Sequence, residues 1–171
     1  MSVSYLKNVA ENMRLAAATA CGCGYAPIVP GTVGTLPAVA IFVLIGKTQA
    51  AEFQTMWLAI ALLISGALTV KLGSWAETRW KTKDPHPFVL DEVAGFFLTV
   101  LLFRGDSVAL TALWAFLASR FFDIVKPPPA DRMERLSGGI GILLDDLVAS
   151  LYAAASLHFM AWLIPPLFGS S

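Results

Sequence analysis

The sequence predicts an all-α fold: a polytopic membrane helical bundle with an N-terminal amphipathic helix and about four to five apolar helices, the first of them broken or re-entrant. Two observations carry this reading. Hydrophobic residues fill 57% of the 171 positions and charged residues only 14%, where soluble domains run at about 45–50% and about 25%. Twelve acidic and twelve basic residues are too few to coat a soluble surface of this size. The apolar residues also gather into runs near the length, about 20 residues, that crosses a hydrocarbon core of about 30 Å.

Taken in order, Leu6, Val9, Ala10, Met13 and Ala17 recur at helical spacing. Residues 4–20 are therefore expected to form an amphipathic helix that lies on the membrane or packs against the bundle. No cleavable signal is expected, because Lys7 and Arg14 lead into a small, weakly apolar run at 16–20. Five apolar segments follow at 27–46, 55–72, 86–103, 107–125 and 139–165. Proline and glycine interrupt the first over 27–37, which predicts a loop entering the bilayer with only 38–45 fully helical. No repeat or low-complexity linker divides the chain, so residues 1–171 read as one membrane-embedded domain.

Lysine and arginine set the orientation. Lys7, Arg14, Lys71, Arg79, Lys81, Lys83, Lys126, Arg132 and Arg135 fall in the N-terminal arm and the 71–87 and 126–138 loops, whereas the opposite loops hold Lys47 and Arg104. The positive-inside rule places the first group in the cytosol and the C-terminus on the other side. Trp57, Trp75, Trp80 and Trp162 stand near segment ends, as interfacial anchors do, and Trp114 at mid-segment is read as packing. The balanced charge excludes a polybasic nucleic-acid binder. Cys21 and Cys23, one residue apart, are poorly placed to close a disulfide loop and fit a reducing compartment.

The acids are the informative residues. Asp84, Asp91, Glu92, Asp123, Asp145 and Asp146 all fall near the cytosolic ends of apolar segments, far apart in sequence but at similar depth. A charge inside a span costs about 2.5–3.5 kcal/mol at the helix centre. The cations at matching depth are Arg120 and Lys126, with Lys83 near, which leaves the cluster short of positive charge by about three units. Two readings of the deficit stand: a divalent metal on hard oxygen ligands, magnesium fitting best, or protonation of coupled acids in a proton relay. Adjacent helical residues point about 100° apart. One member of each pair, 91/92 and 145/146, is therefore expected to ligate while the other holds a cation or orients a ligand.

Arg120, Asp123 and Lys126 share one helix face, with Arg120 inside the apolar run, a placement that favours phosphate contact. Glycine-rich stretches precede helices at Pro30-Gly-Thr-Val-Gly-Thr-Leu-Pro37 and Ser137-Gly-Gly-Ile-Gly141. Free N–H groups at helix starts attract anions, which marks Gly31, Gly34 and Gly139 for substrate binding, with Thr32 and Thr35 as hydroxyl donors.

The motifs "PGTVGTLPA", "DPHPFVLDEVAGFF" and "RFFDIVKPPPADRMERLSGGIGILLDDLVA" resemble the phosphatidylglycerophosphatase A family over most of residues 24–155. The resemblance implies a magnesium-dependent enzyme of the bacterial inner membrane that hydrolyses phosphatidylglycerol phosphate to phosphatidylglycerol and phosphate, and the acids at the cytosolic segment ends place its active site facing the cytosol. The resemblance points to Thr32, Asp84, Asp91, Glu92, Asp123, Lys126, Asp145 and Asp146. The chain departs from the family pattern at Pro127-Pro-Pro129, where the resemblance leads one to expect Pro-Trp-Pro.

On this reading Asp91, Asp145 and Asp146, with Glu92 or Asp84, hold Mg²⁺ against the phosphoryl oxygens. Arg120 and Lys126 bind its charge, and Asp123 acts as base or ligand. Other phosphatase chemistries lack their residues. Pro27 and Val29 stand six residues after the two cysteines, where a cysteine phosphatase needs arginine. His86 and His158 fall on opposite sides of the membrane and are read as surface or packing residues, and no Asp-x-Asp pattern occurs. A small transporter or proton-relay protein is the rival of another class, and predicts acids spread through the membrane depth. A lipid phosphotransferase is a closer rival, without its multi-aspartate signature.

Overall fold

The computed structural model describes residues 3–133, 136 and 138–169; Arg135 and Ser137 lie outside the described residues. All regular structure among them is helical: α1 (Val3–Ala18), α2 (Pro30–Thr48), α3 (Ala51–Trp80), α4 (Leu90–Leu102), α5 (Val108–Val125), α6 (Ala130–Met133) and α7 (Gly138–Leu163), with single 3₁₀ turns at Cys23–Tyr25 and Pro165–Phe168. α2, α3, α5 and α7 are long and apolar enough to cross a membrane.

Two elements differ from the sequence expectation. α2 is one helix from Pro30, not a loop with a short helical end. Pro30 occupies its first turn, where a missing N–H costs nothing, and the helix continues past Pro37. The segment expected at 86–103 is helical only over the 13 residues of α4, about 20 Å at 1.5 Å per residue and too short to cross about 30 Å. Its apolarity has another cause. α4 is the central element: Phe96, Phe97 and Val100 are buried together with Phe42 of α2, Leu58 of α3, Ala112 and Ala115 of α5, and Leu157 of α7. Phe42 meets Phe96 edge to face, centroids 6.1 Å apart.

In lipid, helices associate by close packing of small residues more than by expulsion of water. Gly73 of α3 faces Gly139 of α7, backbone to backbone, and Gly95 of α4 lies where a methyl would come within 2.8 Å of the Ser150 hydroxyl. α3 runs beyond the predicted 55–72 to Trp80, and Arg79 on its projecting end meets Glu11 of α1 at 3.5 Å. Leu6, Val9, Ala10 and Met13 of α1 remain exposed, while Ala18 is buried against the bundle.

Candidate active site

The helix starts and ends at one pole of the bundle build a cavity of about 390 Å³. α2 contributes Pro30, Gly31 and Thr32; the loop before α4 contributes Asp84, Pro85 and His86; α4 contributes Asp91 and Glu92. α5 contributes Arg120, Asp123 and Ile124, followed by Lys126, and α7 contributes Asp146. Asp91 and Glu92 stand in the first turn of α4, where the helix dipole favours anions. Gly31 and Thr32, in the first turn of α2, also line this space, and their N–H groups have no carbonyl one turn earlier to bond within the helix.

The backbone is held in uncommon conformations around this cavity. Val29, Asp84 and Lys126 line it and have φ of 49°, 46° and 45°, in the left-handed region. For a β-branched residue such as Val29 this is a real outlier, of the kind that persists where surrounding structure imposes it. Gly31 is required by a close approach: a methyl there would collide with the Glu92 carboxylate and come within 3.0 Å of an Arg120 nitrogen.

Charge is unevenly paired. Arg120 Nη1 lies 3.3 Å from Asp123 Oδ2 and 3.6 Å from Glu92 Oε1, and Lys126 Nζ donates to Asp145 Oδ2 at 2.8 Å. Leaving Asp84 aside, five carboxylates (Asp91, Glu92, Asp123, Asp145, Asp146) against two cations (Arg120, Lys126) leave three negative charges. Asp91 Oδ1, Glu92 Oε2, Asp145 Oδ1 and Asp146 Oδ2 are buried and accept no hydrogen bond. Such atoms are costly unless something else satisfies them. One oxygen from each of Asp91, Glu92 and Asp146 lies within 4.8 Å of the others, a hard-oxygen donor set that fits a metal cation.

A family model described as phosphatidylglycerophosphatase A matches residues 16–161. The chain belongs to the phosphatidylglycerophosphatase A family. It is 31% identical over 140 residues to phosphatidylglycerophosphatase A of Escherichia coli, covering 81% of this chain and 78% of that one. It is 30% identical over 133 residues to the Haemophilus influenzae protein of the same name, covering 77% and 78%. A Bacteroides thetaiotaomicron protein named "Putative phosphatidylinositol-3-phosphatase" is 31% identical over 154 residues, covering 85% and 92%. No solved structure matches. The chain is thus a phosphatase enzyme of a family that acts on phospholipid.

In this phosphatidylglycerophosphatase A relative the cavity gathers Gly31, Thr32, Asp84, Asp91, Glu92, Arg120, Asp123, Lys126 and Asp146 from the positions singled out in the sequence. The acids crowd one pole, as an interfacial enzyme requires, and are not spread along a path as a transporter would need. Asp145 and Asp146 diverge as adjacent helical residues should, Asp146 toward the cavity and Asp145 to Lys126. Asp91 and Glu92 do not divide in that way. Both offer an oxygen to the cluster, because the longer glutamate reaches back while also meeting Arg120.

The structure does not bring the remaining candidates into the cavity. Gly139 is buried against Thr69 and Val70 of α3, and Gly34 packs on Val89, where a methyl would come within 2.6 Å. Thr35 is fully buried and donates back to the Gly31 carbonyl at 2.7 Å. Lys83 lines a separate depression with Glu77 and Thr78. His86, read as a surface or packing residue, is exposed and lines the cavity mouth; its place two residues after Asp84 was the available signal. His158 lies toward the other pole, its Nε2 3.1 Å from the Leu102 carbonyl.

Proposed function

We propose that this cavity hydrolyses the phosphate monoester of phosphatidylglycerol phosphate, with Mg²⁺, at the cytosolic face of the bacterial inner membrane. The observation that carries the reading is the trio Asp91, Glu92 and Asp146: mutually close, with Asp91 and Asp146 buried and Glu92 partly so, and each with a buried oxygen lacking a hydrogen-bond partner. These three would hold the metal, with Asp84 and Asp145 at its margin. A bound Mg²⁺ supplies neutralisation of the charge on the phosphoryl oxygens.

The chain's own groups do the rest. Arg120 and Lys126 bind the equatorial oxygens, and the N–H groups and Thr32 hydroxyl at the start of α2 orient the phosphate. Asp145 fixes Lys126. Asp123, outside the trio and held at Oδ2 by Arg120 at 3.3 Å, accepts a proton from the attacking water. The cations Lys7, Arg14, Lys71 and Arg79 at the same pole, against Lys47 and Arg104 at the other, support a cytosolic placement.

The test is phosphate release by the detergent-purified protein across a Mg²⁺ titration. Phosphatidylglycerol phosphate and phosphatidylinositol 3-phosphate are compared, since one relative's name points to the latter. Saturable, Mg²⁺-dependent release with preference for the first is expected. Absence of release from both at every Mg²⁺ concentration removes the reading.

A further inference from the structure

We propose that the apolar groove between α5 and α7 seats an acyl chain of the lipid whose phosphate enters the acidic cavity; the proposal rests on the phosphatase reading above. The groove encloses about 300 Å³, with Trp114, Leu117, Ala118 and Phe121 on one side and Leu157 and Met160 on the other. Its few polar groups are turned away from a guest. Trp114 Nε1 donates to the Leu167 carbonyl at 3.0 Å, and the Ser156 hydroxyl donates to the Ala153 carbonyl at 2.7 Å. What faces outward is hydrocarbon, which suits an alkyl chain and leaves a polar guest unsatisfied.

Position on α5 links the groove to the chemistry. Leu117, Phe121 and Ile124 are spaced i, i+4, i+7 and form one stripe along the helix. Ile124 lines the acidic cavity, and Leu117 and Phe121 line the groove. All three are exposed, Ile124 at 76%. A lipid phosphate seated beside Arg120 therefore has, starting at the cavity wall, an unbroken apolar track about two turns long. A second groove between α3, α4 and α7, around Gly66 and Leu143, is larger at about 590 Å³; neither groove shares a lining residue with the cavity, and the α5–α7 groove is preferred because the exposed stripe Leu117, Phe121 and Ile124 runs from it to the cavity wall.

An acyl chain moving from bilayer to groove exchanges one apolar setting for another, so the groove adds little raw affinity. Its contribution is orientation, which appears as selectivity for chain length. The experiment measures kcat/KM for a long-chain and a six-carbon-chain phosphatidylglycerol phosphate in matched detergent. Ala118→Phe, which fills the groove, is expected to lower the long-to-short ratio about tenfold. Phe121→Ala, a truncation at an exposed position that leaves the core intact, is expected to lower it about threefold. Ala67→Phe in the other groove keeps the parental ratio.

Parental ratios in both α5 variants overturn the proposal, and if Ala118→Phe does not fold, Phe121→Ala decides alone. Should the parent release no phosphate from either substrate, the phosphatase reading fails by itself. The groove is then judged by native mass spectrometry of the long-chain lipid on parent and Phe121→Ala: weaker retention by the variant supports it, and equal retention overturns it.

Discussion

α2 and α7 both begin in glycine-rich turns at the same pole, Pro30-Gly-Thr-Val-Gly34 and Gly138-Gly-Ile-Gly141, yet they face different neighbours. Gly31 lies against the Glu92 carboxylate and the Arg120 guanidinium, at the wall of the acidic cavity. Gly139 lies against the backbone of α3 at Thr69 and Val70, with no cavity between. The same small residue serves a site in one place and a helix crossing in the other. What stands opposite decides the role: mobile charged side-chain ends, or a rigid backbone.

The contrast is sharpest at the acids above the α2 start. Asp146→Asn is expected to lower phosphate release by a factor on the order of 10³, while thermal stability measured without metal stays level or rises, because a buried negative charge with one oxygen lacking a hydrogen-bond partner is removed. Retained activity with a lower melting temperature would break the division between the two regions. Next, Gly139→Val should cost about 1–3 kcal/mol of stability, read as an earlier thermal unfolding midpoint, since the backbone of α3 cannot give way. Activity per folded molecule should stay within about twofold. If activity fell with stability unchanged, the α7 start would belong to the site.

Gly31→Ala should do the reverse. The atoms it meets are the ends of flexible side chains, so stability changes little, while displaced Glu92 and Arg120 lower kcat/KM by about 10–100-fold. The smallest expected contrast is between two threonines. Thr32→Val, removing a hydroxyl at the cavity, should lower kcat/KM about tenfold. Thr35→Val, removing only a bond to the Gly31 carbonyl, should cost about 1 kcal/mol of stability and little activity.

Much of this organisation was legible in the residues. Charges are expensive in lipid, so six acids near segment ends of like sidedness had to converge, and the cavity gathers five of them with Asp145 behind Lys126. α4 was less legible. Hydropathy measures removal from water and does not distinguish a helix wrapped by protein from one wrapped by lipid, so Phe96, Phe97 and Val100 read as a span. Pro37 misled for a related reason: the rule that proline ends helices yields where neighbouring helices hold the segment in place. Gly139 was illegible because its role depends on what packs opposite, which spacing along one helix does not contain; His86 was legible only from its place beside Asp84.

The shortness of α4 has a consequence for how turnover ends. A helix of about 20 Å cannot by itself span a hydrocarbon core of about 30 Å, so if the 103–107 turn sits at the far surface, the acidic tip of α4 begins below the near one. On the proposed chemistry the ester is therefore cut in a recess, and the two products part company there. Inorganic phosphate departs upward into water, while the diacyl product, still carrying its phosphodiester charge, slips sideways among its neighbours, so neither blocks the other's exit.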